Sequence, residues 1–337
     1  MSANSAPEDW LYPALQRMSL ARPGECPPFV ALAGGVSSDI YRVDLADGPA
    51  CVKRALPQLR VSALWKAPVE RNRYEVAWMR VAAAIVPGFT PRVLGDDEAS
   101  GAFAMEYLAP DRHPVWKAQL RDGAIDCAVA AEVGRRIARV HAATAGDARI
   151  ARRFATDAIF HSIRLEPYLL ATAQRHPECA DPLIGLARTT ASHKRALVHG
   201  DVSPKNILVG ADGPVLLDAE CAWYGDPAFD LAFCLNHMLL KCLWRPPWQD
   251  RYLACFDAMV EGYLPLVDWE PKEQLEMRTA HLLPGLFLGR VDGKSPAEYV
   301  TAERDKDRVR RAAHALLLNP VARLSAVRDT WQGELGR

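Results

Sequence analysis

The chain is predicted to fold as an α+β protein in two parts. Residues 1–108 would form a small part with a five-stranded antiparallel sheet and one main helix, and residues 109–337 a larger, mostly helical part. Three observations point this way. Short apolar runs punctuated by Gly, Asp and Pro turns, as antiparallel strands require, crowd the first 110 residues. From Asp111 onward strand signals nearly vanish, and apolar residues recur every three or four positions instead. The chain has 337 residues, 50% of them hydrophobic, which is enough for a sizeable core and two domains, and it has no repeats or low-complexity linkers.

Residues 8–20 read as a short amphipathic helix around Trp10, Leu11, Leu15 and Met18, ended by Pro23-Gly24. Three strands follow: an apolar run from Phe29 to Ala33, then Ile40–Leu45, then, past an Asp47-Gly48 turn, Ala50–Ala55. Between the first two lies Gly34-Gly35-Val36-Ser37-Ser38. A glycine pair with small hydroxyl residues can fold over phosphates and offer backbone N–H groups, so Gly34, Gly35, Ser37 and Ser38 are candidate phosphate contacts; an ordinary hairpin turn has the same pattern. Lys53 alternates with Cys51 and Ala55 and shares their face, as a lysine reaching into a cleft does, the alternative being an exposed lysine on an edge strand. Val69–Ile85 is the main helix, and the strands Pro91–Gly95 and Ala102–Leu108 complete the sheet.

In the second part, Cys127–Ala145 places Val129, Val133, Ile137 and Val140 on one face with arginines opposite. Phe160–Ala173 and Asp181–Ala191 are further helical stretches leading to an apolar strand near Leu197. Leu231–Leu243, Arg251–Leu264, Pro271–Gly289, Ala297–Val300 and Arg304–Leu318 also read as helices.

Residues 197–231 carry the chemistry. One apolar run delivers Asp201, Asn206 follows five positions later, and a second apolar run delivers Asp218 and Glu220. Phosphoryl transfer needs a carboxylate to orient and deprotonate an attacking hydroxyl, and oxygen ligands to hold Mg2+ against the phosphates. Asp201 suits the first role, Asn206 and Asp218 the second. Singly, each could be a turn former or a local cap. His199 reads as a brace for the loop, and Asp226 and Asp230 as structural.

The pattern resembles the aminoglycoside phosphotransferase and choline kinase family of small-molecule kinases, distant relatives of protein kinases. His199-Gly200-Asp201 stands where protein kinases have His-Arg-Asp, and Asp218-Ala219-Glu220 replaces Asp-Phe-Gly. Gly225-Asp226-Pro227-Ala228-Phe229-Asp230-Leu231 matches the family's Gly-Asp-Pro-x-x-Asp-Leu. The resemblance implies a protein-kinase-like two-lobe fold, with ATP or GTP between the lobes and Mg2+ held by Asn206 and Asp218. It also implies that Lys53 pairs with a helical glutamate, with Glu75 the first choice, Glu70 the alternative and a solvated helix face the other role open to each, and that Glu106 to Leu108 belong to the hinge that meets the adenine. A buried strand running into a Pro loop would look like that hinge. Lys205 is a candidate for neutralising the transferred phosphoryl group or a solvated loop residue, and Glu220 a third metal ligand or a substrate contact; its Asp-x-Glu setting is similar to methylthioribose kinases.

Lys plus Arg equals Asp plus Glu at 41 each, so no global field favours nucleic acid or anionic membrane. The eight cysteines show no Cys-x-x-Cys and no zinc-ligand spacing, most sit in apolar surroundings, and a reducing cytoplasm is expected. No apolar run approaches the ~18 residues that cross a bilayer. The acceptor stays open among aminoglycosides, amino sugars, sugars and amino alcohols. Trp223, Tyr224, Trp244 and Trp248 could wall an ammonium, whereas Arg290 and Lys294 could face an anionic or sugar ligand. Two other readings are a protein kinase, against which the absence of Ala-Pro-Glu after Asp218 counts, and a non-catalytic nucleotide-binding module. Oligomeric state is not legible.

Overall fold

A computed structural model describes residues 6–32, 38–56 and 68–336. The chain divides into two compact units, residues 1–110 and 111–337.

In the first unit, helix α1 (Pro7–Arg17) precedes β1 (Phe29–Ala31), β2 (Ser38–Leu45) and β3 (Gly48–Ala55); α2 (Arg71–Ile85), β4 (Val93–Asp97) and β5 (Ala102–Glu106) follow. The five strands form one antiparallel sheet in the order β1-β2-β3-β5-β4. Successive side chains of a strand point to opposite faces, and the two faces build separate cores. Val43, Val52, Ala102 and Ala104 pack against Trp10, Leu11, Ala14 and Leu15 of α1. Cys51, Phe103 and Met105 pack against Val76 and Met79 of α2. Arg17, at the end of α1, grips the carboxylate of Asp97 at the end of β4 with two hydrogen bonds of 2.8 Å.

The second unit contains α3 (Trp116–Arg121), α4 (Cys127–Thr144), α5 (Ala148–Arg153), α6 (Asp157–Phe160), a π-helical segment (His161–Leu170), α7 (Ala171–Arg175) and α8 (Ala180–Ser192). Three small strand pairings come next, built from β6 (Ala196–Val198), β7 (Ile207–Gly210), β8 (Gly213–Leu216) and β9 (Trp223–Gly225), with β6 pairing β9, β7 pairing β8 and Val115 bridging Leu208. The remaining helices are α9 (Ala228–Trp244), α10 (Gln249–Tyr263), α11 (Lys272–Asp292), α12 (Glu303–Leu318) and α13 (Leu324–Leu335). Helix α9 is buried from Ala228 to Leu243 on every side. Helices α4 and α10 meet at Gly134 and Gly262, where a Cβ would lie 2.4 Å from the Met259 carbonyl oxygen and 2.2 Å from that of Ala131. Only glycine permits that approach.

Several expected boundaries move. Helix α1 ends at Arg17, β1 at Ala31 and β5 at Glu106, and β4 occupies 93–97 rather than 91–95. Phe160–Ala173 is helical, but its middle is π-wound around Pro167, which has no N–H to give the ladder. Ala297–Val300 is not a helix. It is a turn, closed by the Ala297 N–H on the Arg290 carbonyl at 2.7 Å and the Val300 N–H on that of Ala297 at 3.1 Å. Helices α3, α5 and α13 were not anticipated. All eight cysteines are free thiols. Among the described residues no helix is long and apolar enough to cross a membrane.

Candidate active site

In the first unit, Lys53 pairs in register with Phe103, on the sheet face that α2 covers. Its Nζ donates to both carboxylate oxygens of Glu75, at 2.9 and 2.8 Å, with the two side chains 3% and 1% exposed. Glu70 is exposed and only precedes the helix. Ser38 opens β2, and its buried Oγ has no partner among the described residues; Gly34, Gly35 and Ser37 lie outside them. Glu106 ends β5 with an exposed side chain, its backbone N–H donating to the Arg92 carbonyl at 2.9 Å. Leu108 follows, half-buried and outside the strand.

In the second unit, β6 runs into His199-Gly200-Asp201. Gly200 has φ +80°, and a Cβ there would lie 2.8 Å from Cys221, so the turn requires glycine. Asp230, in the first turn of α9, accepts the backbone N–H groups of His199 and Gly200, both at 2.7 Å. Its Oδ2 also lies 3.2 Å from His141 Nε2, while His141 Nδ1 lies 2.7 Å from the Tyr263 hydroxyl. The loop is thus pinned to the most buried helix of the unit. Asp226 is structural too, accepting the Ala228 N–H at 3.0 Å and pairing with Arg278.

His199 ties two chain segments together. Its Nδ1 accepts the Asp201 N–H at 3.1 Å, so Nε2 carries the proton and donates to the Leu217 carbonyl at 3.1 Å. Burial pushes the His199 pKa down, favouring the neutral ring that this arrangement uses. Asn206 adds a second tie. Its Nδ2 donates to the Asp201 carbonyl at 3.1 Å, and its own carbonyl accepts the Leu217 N–H at 2.8 Å. Asp218 follows with φ +68°, a left-handed conformation uncommon for a non-glycine residue.

The Asp201 carboxylate is surrounded by cations. Arg164 Nη2 is 2.9 Å from Oδ2, and Lys205 Nζ is 3.3 Å from the same oxygen. Burial pushes the Asp201 carboxyl up, but Lys205 and Arg164 outweigh it and hold the group well below the usual carboxylate range. Arg164 projects from the π-helical segment, donates to the carbonyls of Gly200 and Ile163, and lies over the Phe233 and Tyr168 rings at 5.5 and 5.8 Å. Burial opposes its charge, and the carboxylates of Asp201 and the buried Glu220 hold that charge on. Lys205 is 56% exposed, so it sits at the solvent edge of this group.

Asp201, Lys205 and Asn206 therefore share one braced loop, with Asp218 tied to it through Leu217 and Glu220 near Arg164. Asn206 Oδ1 makes no hydrogen bond among the described residues. Such an amide oxygen is a hard donor of the kind a divalent cation takes. Arg164 was not anticipated; the only sequence signal is Pro167 inside an otherwise helical stretch. The proposed aromatic wall does not form as expected. Trp223 stacks on Phe160 at 4.2 Å and Tyr224 donates to the Arg195 carbonyl at 2.8 Å, both as core residues. Lys294 is exposed and paired with Glu166 at 2.6 Å, whereas Arg290 is buried.

A methylthioribose kinase of Erwinia tasmaniensis is 26% identical over 216 residues, which is 56% of this chain and 54% of the relative. Another, from Yersinia pseudotuberculosis serotype O:3, is 28% identical over 219 residues, 56% of this chain and 53% of the relative. The chain thus spans about half the length of the curated relatives it matches. Among solved structures, an amicoumacin kinase in complex with AMP-PNP, Ca2+ and Ami aligns over 92% of this chain and 94% of its own, with a TM-score of 0.54 at 14% identity. A choline kinase from Streptococcus pneumoniae aligns over 89% and 98%, with a TM-score of 0.50 at 13% identity. These structures share the kinase-like fold. The model of the phosphotransferase enzyme family (APH) matches residues 29–266, most of the chain, and the protein belongs to that family.

Proposed function

We propose that the protein is a small-molecule kinase that moves the γ-phosphate of ATP or GTP to a hydroxyl of a small acceptor, such as a sugar, amino sugar, aminoglycoside or amino alcohol. Membership of the phosphotransferase family supports the reaction class. The observation that carries the reading is Asn206, whose amide nitrogen is spent on the Asp201 carbonyl while Oδ1 is left for a ligand.

In this reading Lys53, oriented by Glu75, takes the α and β phosphates, Ser38 and the glycine segment cover them, and Glu106 to Leu108 meet the base. Asn206 and Asp218 hold a divalent cation, with Glu220 as a further candidate. When bound, that cation neutralises charge on the phosphate oxygens. Asp201 accepts a hydrogen bond from the acceptor hydroxyl and orients its oxygen toward the γ-phosphorus. As the new O–P bond forms and the bond to the β–γ bridging oxygen breaks, Asp201 takes the proton. A carboxylate with so low a pKa accepts a proton late, when the hydroxyl oxygen is already bonding to phosphorus, which suits the loose transition state of phosphoryl transfer. Lys205 faces the same oxygen and is placed to offset charge on the transferred group.

The test is Asp201→Asn, scored by ADP release over an acceptor screen and by the melting shift with Mg2+ and ATP. The expected result is loss of transfer with nucleotide stabilisation retained. A wild type that gains no stability from nucleotide would sink the proposal.

A further inference from the structure

Helix α9 is buried all round yet carries His237 and Lys241 on one face. The Lys241 ammonium has no hydrogen bond and no ion pair among the described residues, although the residue is 1% exposed. It lies over the ring faces of Trp244 and Tyr299, 5.2 and 5.1 Å away, which stack on each other at 4.5 Å. One turn earlier, buried His237 has no hydrogen bond among the described residues and touches the Phe233 ring. Opposite, Arg290 of α11 uses Nη1 on Ser295 and the Tyr168 hydroxyl, and its buried Nε has no partner among the described residues. The Tyr299 hydroxyl is likewise buried and has no hydrogen-bond partner among the described residues.

These groups adjoin the candidate base through shared residues. Arg164, which pairs with Asp201, lies over the same Tyr168 and Phe233 rings that Arg290 and His237 touch. Among the described residues the Glu298 carboxylate acts electrostatically on both Lys241 and Arg290 but forms no ion pair with either. Asp201 is occupied by Arg164 and Lys205, and the exposed Glu298 by Lys117. Leaving one donor unmade in a protein interior costs roughly 1–3 kcal/mol, and an unpaired charge costs more. A core that needed only packing would place a leucine at position 241. Several spare donors, net positive charge and aromatic walls together describe a site for oxygen anions.

We propose that His237, Lys241, Arg290 and Tyr299 form the acceptor subsite, and that the acceptor carries a phosphate or carboxylate group besides the hydroxyl it presents to Asp201. This rests on the kinase reading above and narrows it. The Lys241 ammonium is what a cationic acceptor would have to displace from Trp244 and Tyr299, so ammonium-bearing acceptors are disfavoured.

The test has two arms. In the first, ADP release by the wild type is compared over sugar phosphates, hydroxy acids, neutral sugars, amino alcohols and aminoglycosides. The expected result is at least tenfold higher kcat/KM for one anionic class, the phosphate and carboxylate sets deciding which. Lys241→Met and Arg290→Gln should raise KM for that acceptor at least tenfold and change KM for ATP less than twofold. In the second arm, sulfate binding is followed by melting temperature in the wild type and in Lys241→Met. Sulfate should stabilise the wild type, and its apparent Kd should rise at least tenfold in the variant. Preferred turnover of neutral or cationic acceptors would overturn the inference and leave the kinase reading standing. No turnover with any acceptor would count against the kinase reading, while Lys241-dependent sulfate binding would still support an anion site. Equal sulfate binding by wild type and variant would overturn that site.

Discussion

Arg164 Nη2 lies 2.9 Å from Asp201 Oδ2, and both side chains are less than a tenth exposed. The arginine therefore holds the candidate base in one rotamer and keeps it ionised. Arg164→Gln should lower kcat by about 10- to 100-fold, as loss of a group positioning a reacting residue does. The same change removes a cation, raises the Asp201 pKa and moves the acid limb of the kcat profile to higher pH. Initial rates between pH 4 and 9 check both effects: the wild type should show no acid limb from Asp201 in this range, and a variant whose profile is equally flat at its acid end would reduce Arg164 to a packing role.

The Lys53–Glu75 pair is buried on both sides. Removing one partner strands the other charge, so Lys53→Met should cost roughly 3–5 kcal/mol. Glu75→Gln keeps shape and a hydrogen-bond acceptor and should cost less. Urea unfolding of the three proteins orders them, and nucleotide affinity should fall in both variants because Lys53 loses either its charge or its orientation.

Arg17 pulls the Asp97 pKa from 3.8 to about 2, with Ser100 assisting and burial opposing. A carboxyl depressed on folding gives stability that is present above pH 3.8 and is lost as pH falls through about 2. The shift corresponds to at most about 2.5 kcal/mol, and since Arg17 is 47% exposed, solvent screening reduces that to about 1 kcal/mol. Asp97→Asn should lose this amount at pH 7 and nearly nothing at pH 2, as measured by chemical denaturation at each pH.

Burial and the nearby Lys117 push Lys241 from 10.5 down to about 7. Here the unfolded chain holds the proton more tightly. Wild-type stability should therefore rise as pH climbs from about 7 toward 10.5 and be flat below. Lys241→Met should be more stable than wild type, by at most about 5 kcal/mol below pH 7, with the gain fading as pH approaches 10. Melting curves across that range test it. A variant less stable than wild type at pH 6 would mean that the ammonium is solvated or paired.

Much of this molecule is readable from residue order alone because its cues are local. Alternation along residues 50–55 puts Cys51 and Lys53 on one face of β3, and the sheet keeps them there under α2. The spacing of His199, Asp201, Asn206 and Asp218 marks one loop and the strand end beside it, and backbone hydrogen bonds join the two. Local cues fail where winding depends on neighbours. The π-helical turn at Pro167 and the turn at Ala297–Val300 both look like ordinary helix in sequence.

Sequence by itself determined the α+β class, most of the strand and helix order and the polar residues of the candidate catalytic loop, since these follow from periodicity and short-range spacing. Tertiary structure alone decided which glutamate meets Lys53, which arginine meets Asp201, and that His237, Lys241 and Arg290 gather beside Tyr168 and Tyr299. Such pairings join residues tens of positions apart, and their energies depend on burial and on the charges nearby, neither of which is defined until the helices have packed.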